Sequence, residues 1–197
     1  TKPRKTNTTP QEHAKAQLSG WPGAWRNLSG TNKQLWDTWA ALPAQEKTNS
    51  LGEAYYVSGW NWFLGVNSWR NMQGLAQLDT PPSGSWPTIP AITGVDFNNS
   101  GATTELTVEW GAGEFGTDEA AVLFASLVRY GGRVNQTSGY KLIDVVVNPG
   151  NTSEDFGAAF EAVYGPGIDG DQVFLRLAKQ SDEGLRSACY QTSAICT

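Results

Sequence analysis

His13 is the only histidine in 197 residues. A Ser-His-Asp relay needs an imidazole as its base, and zinc sites usually draw on several His or Cys ligands. His13 falls in the first turn of a predicted helix beside a polar N-terminal stretch, where a surface role is the simpler reading. Paired carboxylates suffice for glycoside hydrolysis. Glu105, Glu109, Asp118, Glu119, Glu154 and Asp155 supply the residue type, but their neighbours place them on turns and solvent-facing strand positions. Gly165-Pro166-Gly167-Ile168-Asp169-Gly170 is a literal G-x-G-x-x-G. Dinucleotide binding needs those glycines to open a helix. Here they precede a strand pattern from Gln172 to Leu177, so they read as a turn. Asp169 and Asp171 could offer oxygens to Ca²⁺, yet a full loop needs more acids at alternating positions. Cys189 and Cys196 would face opposite sides of a straight strand, so a disulfide between them requires an intervening turn, and they form no redox or metal motif. The chain is therefore expected to be non-enzymatic, with no catalytic residues, no metal and no cofactor.

Two weaker binding signals remain. Trp86, Trp110, Tyr130 and Tyr140 are candidates for an aromatic sugar platform, although Trp110 is better explained as core. N-x-[ST] sequons at Asn7, Asn27, Asn98, Asn135 and Asn151 matter only in a secretory eukaryote.

Charge narrows the partners. Residues 1–80 hold eight basic and five acidic residues, and residues 81–197 hold six basic and fourteen acidic. An acidic C-terminal part repels nucleic-acid phosphates, so no nucleic acid partner is expected, and the uneven balance speaks to partners and solubility rather than to fold. Lys2, Arg4 and Lys5 make residues 1–9 a flexible basic arm. No run approaches the ~18 apolar residues of a membrane span.

The elements that would position these residues fall into two parts. Thr9-Pro10-Gln11-Glu12 is an N-cap, a proline at the first helical position and a capping-box glutamate. Trp21, Trp25 and Leu28 then recur at helical spacing. After the break at Ser29-Gly30-Thr31, Leu35, Trp36, Trp39 and Leu42 share one helical face until Pro43. Following the polar stretch from Gln45 to Ser50, the run from Tyr55 to Arg70 puts Trp62, Val66 and Trp69 on one stripe and Trp60, Phe63 and Leu64 on another, so this helix must be covered twice. The result is a Trp-rich helical segment over residues 10–78. Residues 79–90, with four prolines, exclude helix and central strand and are predicted to be a linker. From residue 91 the pattern changes to strands: Ala91 to Phe97, the alternation of Leu106, Val108 and Trp110, then Ala121 to Val128, Leu142 to Val147, Val173 to Leu177 and Ala188 to Ile195. Ala121 to Val128 could equally be a buried helical turn or two, and Phe156 to Tyr164 reads as strand or short helix. The fold class is α+β, a short helical segment followed by an antiparallel β-sandwich over residues 91–197.

Seven of the nine tryptophans, Trp21, Trp25, Trp36, Trp39, Trp60, Trp62 and Trp69, lie in the helical segment. Each can bury on the order of 150–250 Å², whereas a segment of ~60 residues hides only ~60% of its extended surface. Some are therefore expected to anchor contacts with another subunit, another protein or the sandwich.

The stretch from Pro87 to Thr197 resembles the fibronectin type III family, with immunoglobulin-like domains as its wider kin. The likeness lies in strand spacing, in Trp110 closing a second strand, and in Val173-Phe174-Leu175-Arg176-Leu177-Ala178-Lys179 followed by Gly184 and Ser187. In that family a tyrosine marks the sixth strand, and Phe174 or Tyr164 would have to stand in for it. The helical part, with Trp25 to Leu28, Trp36 to Ala40 and Trp62-Phe63 to Asn67, is similar to a module of phage and bacterial structural proteins. Together the two parts resemble virion components of tailed phages: capsid decoration, head-fibre or neck and tail proteins. The resemblance implies a structural protein in the virion, assembled in the host cytoplasm, whose partners are other copies of itself or other virion proteins. The alternative is a carbohydrate-binding or adhesin module, extracellular or at a cell surface, with a host-surface glycan as partner.

Overall fold

Two serines decide where helices begin. The Ser29 hydroxyl accepts from the Asn32 backbone N–H at 3.1 Å and Ser58 from that of Asn61 at 3.4 Å, each satisfying one of the donors a helix start leaves open. In the computed structural model, which describes residues 19–99, 103–129, 139–150 and 152–197, α1 covers residues 19–27, α2 is Gly30–Ala40 and α3 is Gly59–Met72. The Thr9–Glu12 helix start, His13, the arm over residues 1–9, Tyr130 and the sequon residues Asn7, Asn135 and Asn151 lie outside the described residues. The chain divides into a helical unit ending at Ser83 and a sheet unit from Gly84 to Thr197.

The run expected to be helical from Tyr55 starts four residues later. Ala54–Tyr55 instead forms strand β2 and pairs antiparallel with β1, Lys47–Thr48. The turn between them is closed by Asn49, whose Oδ1 accepts from the Leu51 and Glu53 N–H groups, both at 2.9 Å, and by Gly52 at φ 84°. This hairpin occupies the stretch read as merely polar. α2 ends at Ala40, so the helical face expected to run through Leu42 stops short of it; Leu42 is extended, and Pro43 opens a short 3₁₀ turn, Pro43–Gln45.

At Gly59 the backbones of α2 and α3 come close together. A Cβ there would lie 2.7 Å from both the Asp37 nitrogen and the Trp36 carbonyl carbon, and these backbone atoms cannot swing away. Gly59→Ala should therefore cost about 1–3 kcal/mol through overpacking. The thermal transition of the helical signal should move down accordingly, and a transition equal to wild type would show that the two helices are not locked at this point.

Among the described residues the sheet unit contains seven strands. β3 (Ile92–Asn99), β4 (Thr104–Trp110) and β7 (Ser153–Asp155) form one antiparallel sheet in the order β3-β4-β7. β6 (Lys141–Val147), β5 (Ala120–Val128), β8 (Gln172–Gln180) and β9 (Tyr190–Ile195) form a second in the order β6-β5-β8-β9. Phe97, Leu106, Val108 and Trp110 of the first sheet share one core with Ala121, Leu123, Ala125, Val173, Leu175 and Leu177 of the second. The sheets thus face each other across alternating inward positions. Ala121 to Val128 is strand, paired on both sides by β6 and β8. Phe156 to Tyr164 is helical: α4, Gly157–Tyr164, follows β7 directly.

Helix α4 is tied to the start of β4. The Thr104 N–H donates to Glu161 Oε1 at 2.7 Å, and the Gly167 N–H donates to Thr104 Oγ1 at 2.8 Å. The Thr104 N–H bond holds the Glu161 carboxyl below the usual carboxylate range. A carboxyl whose folded pKa is depressed adds stability above its unfolded pKa and loses it as pH falls through the folded one. Wild type should accordingly be more stable than Glu161→Gln near neutral pH, with the gap in urea midpoint closing on acidification. A gap that does not change with pH would contradict the assigned bond.

Candidate interaction site

Several of the acids that sequence alone offered for chemistry, Asp171, Glu119 and Asp155, are engaged in holding loops. Asp171 is fully buried. Its Oδ2 accepts from Arg129 and from the Ile168 N–H at 3.1 Å, while Arg129 also donates to the Tyr164 and Pro166 carbonyls at 3.1 and 3.2 Å. The Gly165–Gly170 run is a turn, with Gly165 at φ 79° and Gly170 at φ 86°. A carboxylate committed to a guanidinium is a poor Ca²⁺ ligand, and among the described residues no group of three or more His, Cys, Asp or Glu could hold a metal ion. Glu114 and Glu119 flank Lys179 Nζ at 3.3 and 3.6 Å, fastening the β4–β5 loop to β8. Glu105, Glu109 and Asp155 are exposed. Asp155 Oδ1 accepts from the Gly157 N–H at 2.8 Å at the start of α4.

Both cysteines are free thiols. Burial, with Asp169 and Asp171 nearby, pushes the Cys196 thiol up and disfavours the reactive thiolate. Trp110 is buried in the sheet core, its indole N–H donating to the Gly150 carbonyl at 3.1 Å. Tyr140 lies against the Arg176 guanidinium, 3.9 Å from its ring centroid. Phe174 is buried in β8, whereas the Tyr164 hydroxyl donates to the Ala125 carbonyl of β5 at 2.6 Å, a tie between α4 and the second sheet.

In the helical unit the tryptophans gather around Phe63. Its ring centroid lies 5.3 Å from Trp25, 5.6 Å from Trp36, 6.1 Å from Trp60 and 6.2 Å from Trp21. A second contact joins Trp39 and Trp62 at 5.3 Å. Trp36 has no exposed surface, and its indole N–H donates to the Asp79 carbonyl at 3.0 Å. It is therefore corrected from interface anchor to internal core. Trp21, Trp25, Trp39, Trp60, Trp62 and Trp69 are half-buried. Asn67, also buried, donates to the Leu78 carbonyl at 3.2 Å and accepts from the Leu78 N–H at 2.7 Å. These bonds attach residues 78 and 79 to the helical unit, so the beginning of the Pro-rich stretch is part of that unit rather than linker.

Aromatic packing leaves apolar surface elsewhere. Leu51 at the hairpin tip is 81% exposed, and Leu35, Leu42, Tyr55 and Tyr56 are between 44% and 50% exposed. Leu35 lies on α2, and Leu42 follows its end in extended conformation. Trp39 meets Trp62, over whose ring sits Lys47 Nζ at 4.6 Å, and Lys47 pairs with Tyr55 across the hairpin. The Tyr56 hydroxyl donates to Glu46 Oε2 at 3.0 Å, and that bond raises the phenol above its ordinary pKa. The sequence pattern places Tyr55 and Tyr56 in the helical run from Tyr55 to Arg70 and gives Leu51, among polar residues, no role. Asn49 and Gly52 bracketing Leu51 were the turn signal that could have exposed it.

No family model matches the chain, and comparison with the curated proteins and with the solved structures likewise yields no match.

Proposed function

We propose that this chain is a structural assembly protein, a virion component of a tailed phage that decorates the capsid or belongs to a head fibre, neck or tail. Its sheet unit is then of fibronectin type III-like kind. In support, the fourth strand, β6, pairs with the third, β5, whereas in the constant-type immunoglobulin arrangement the fourth strand joins the sheet of the first two. The observation that carries the assembly reading is the helical unit: its aromatic core gathers around Phe63, yet Leu35 of α2, Leu42 just after it, Leu51 and Tyr55 of the hairpin and Tyr56 beside it stay exposed. Contiguous exposed apolar surface marks interaction sites on soluble proteins. The engagement of Asp171, Lys179 and Cys196 in structural contacts supports a non-catalytic role. The acidic sheet unit would face solvent, where its charge opposes unwanted association.

Peptide mass spectrometry of gradient-purified particles from the source tests the virion reading. The chain should be found in particles in fixed proportion to the major capsid protein. Recovery only from the unassembled fraction would contradict it.

A further inference from the structure

We infer that Arg176 anchors a carboxylate-binding site on the face of the second sheet turned away from the core. The inference goes beyond the assembly reading and does not depend on it. Leu123, Leu175 and Leu177 point into the core, so the alternate positions of the same strands face outward. There the register sets Phe124 of β5, Arg176 of β8 and Gln191 of β9 in one row. Among the described residues, the outward positions of β6, β5, β8 and β9 carry no Asp or Glu, and Arg176 is their one charged side chain. Asp144, the acid of β6, pairs with core-facing Leu123. The outward positions of the first sheet are the reverse, with Asp96, Glu105 and Glu109 all exposed. In a unit of fourteen acidic and six basic residues, this one sheet face is left to a cation.

The Arg176 guanidinium is held in place but not satisfied. Its central carbon lies 3.9 Å from the Tyr140 ring centroid, and the neighbouring Arg186 is fixed in the same way 5.3 Å from the Phe124 centroid. Arg176 Nε is buried without a partner, and among the described residues no hydrogen bond or ion pair engages the rest of the fork. Val122, Phe174 and Ala178 around it are buried, so the guanidinium stands over an apolar floor where a charge pair is stronger than in water. A buried charged donor without a partner is costly. An oxyanion against the fork relieves that cost through two parallel N–H···O bonds, and the exposed Gln191 amide, next in the row, offers a further donor. Charge chooses among oxyanions. A phosphate group brings about −1.5 to −2 charges into an acidic field, whereas a carboxylate brings a single one. The ligand class is therefore one carboxylate on an otherwise uncharged frame.

Titration of the full chain with sodium acetate, followed by heteronuclear NMR at an ionic strength held constant with sodium chloride, tests this. Wild type should show saturable shifts confined to Arg176, its Nε–H included, and to Tyr140 and Gln191, with a dissociation constant in the millimolar range open to so small a ligand. Arg176→Lys keeps the charge but not the fork and should bind at least about tenfold more weakly. Arg176→Gln should abolish the shifts, and unchanged far-UV circular dichroism will confirm that both variants fold. Inorganic phosphate binding more tightly than acetate would overturn the carboxylate as ligand class. Shifts that are absent from wild type, or that persist in Arg176→Gln, would overturn the site, and the particle measurement decides the assembly reading separately.

Discussion

Replacing Phe63 by alanine is expected to unfold the helical unit. Phe63 is fully buried and meets four tryptophans, from α1, α2 and α3 itself. Removing the ring deletes the surface on which the others pack and leaves a void that rigid indoles cannot collapse to fill. Phe→Ala changes in cores cost about 3–5 kcal/mol. A unit of this size has a total stability of only about 5 kcal/mol, so the change removes most of it. Far-UV circular dichroism should lose helical signal and tryptophan emission should shift red, while the sheet signal persists because the described residues of the sheet core all come from the sheet unit. A variant with the wild-type helical signal and melting profile would show that the tryptophans are not organised around Phe63.

Arg129→Ala should be the most costly surface-accessible change in the sheet unit. The side chain is 38% exposed, but its partner Asp171 has no exposure at all. Deleting the guanidinium strands a buried carboxylate and frees the Tyr164 and Pro166 carbonyls together. Breaking a buried pair from one side costs about 3–5 kcal/mol, and the partial exposure of Arg129 puts the expectation at the lower end, about 3 kcal/mol. Replacing both residues by apolar ones of similar size should recover much of that loss, because no charge is then left unpaired. Urea unfolding of the two single variants and the double variant measures the coupling. Single and double losses that simply add would show that the two groups act independently.

Where periodicity is long and tertiary demands agree with it, the sequence was informative. The stripe of Leu35, Trp36 and Trp39 announces α2, although Leu42, read with it, lies beyond the helix end, and the alternation of Leu106, Val108 and Trp110 announces β4 with its inward face. Ala121 to Val128 was ambiguous because a strand covered on both faces shows no period of two. The residues of β5 are buried on both sides over most of its length, and only pairing with β6 and β8 resolves it. β7, three residues long, has too little sequence to show a period. The β1–β2 hairpin was hidden by polarity, since its stability comes from Asn49 side-chain bonds rather than apolar alternation.

The candidate site was half legible. Tryptophan abundance correctly pointed to the helical unit as the place where large aromatics meet, but composition does not say which way an indole turns. Phe63, one aromatic among many in the α3 run, becomes the hub because two stripes of α3 are covered by α1 and α2 at once. Leu35 and Leu42 were visible as companions of Trp36 and Trp39. Trp36 takes the inward position on α2 and leaves Leu35 exposed, while Leu42 is exposed beyond the end of the helix.

Hydrogen–deuterium exchange of the full chain over a concentration series tests the central claim most directly, because it reports where copies meet as well as whether they do. Peptides spanning residues 35–56 should gain protection as concentration rises, while those covering β3 and β4 exchange alike throughout. Exchange over residues 35–56 that is the same at every concentration, or protection that appears on β3 and β4 instead, would contradict assembly through the helical unit.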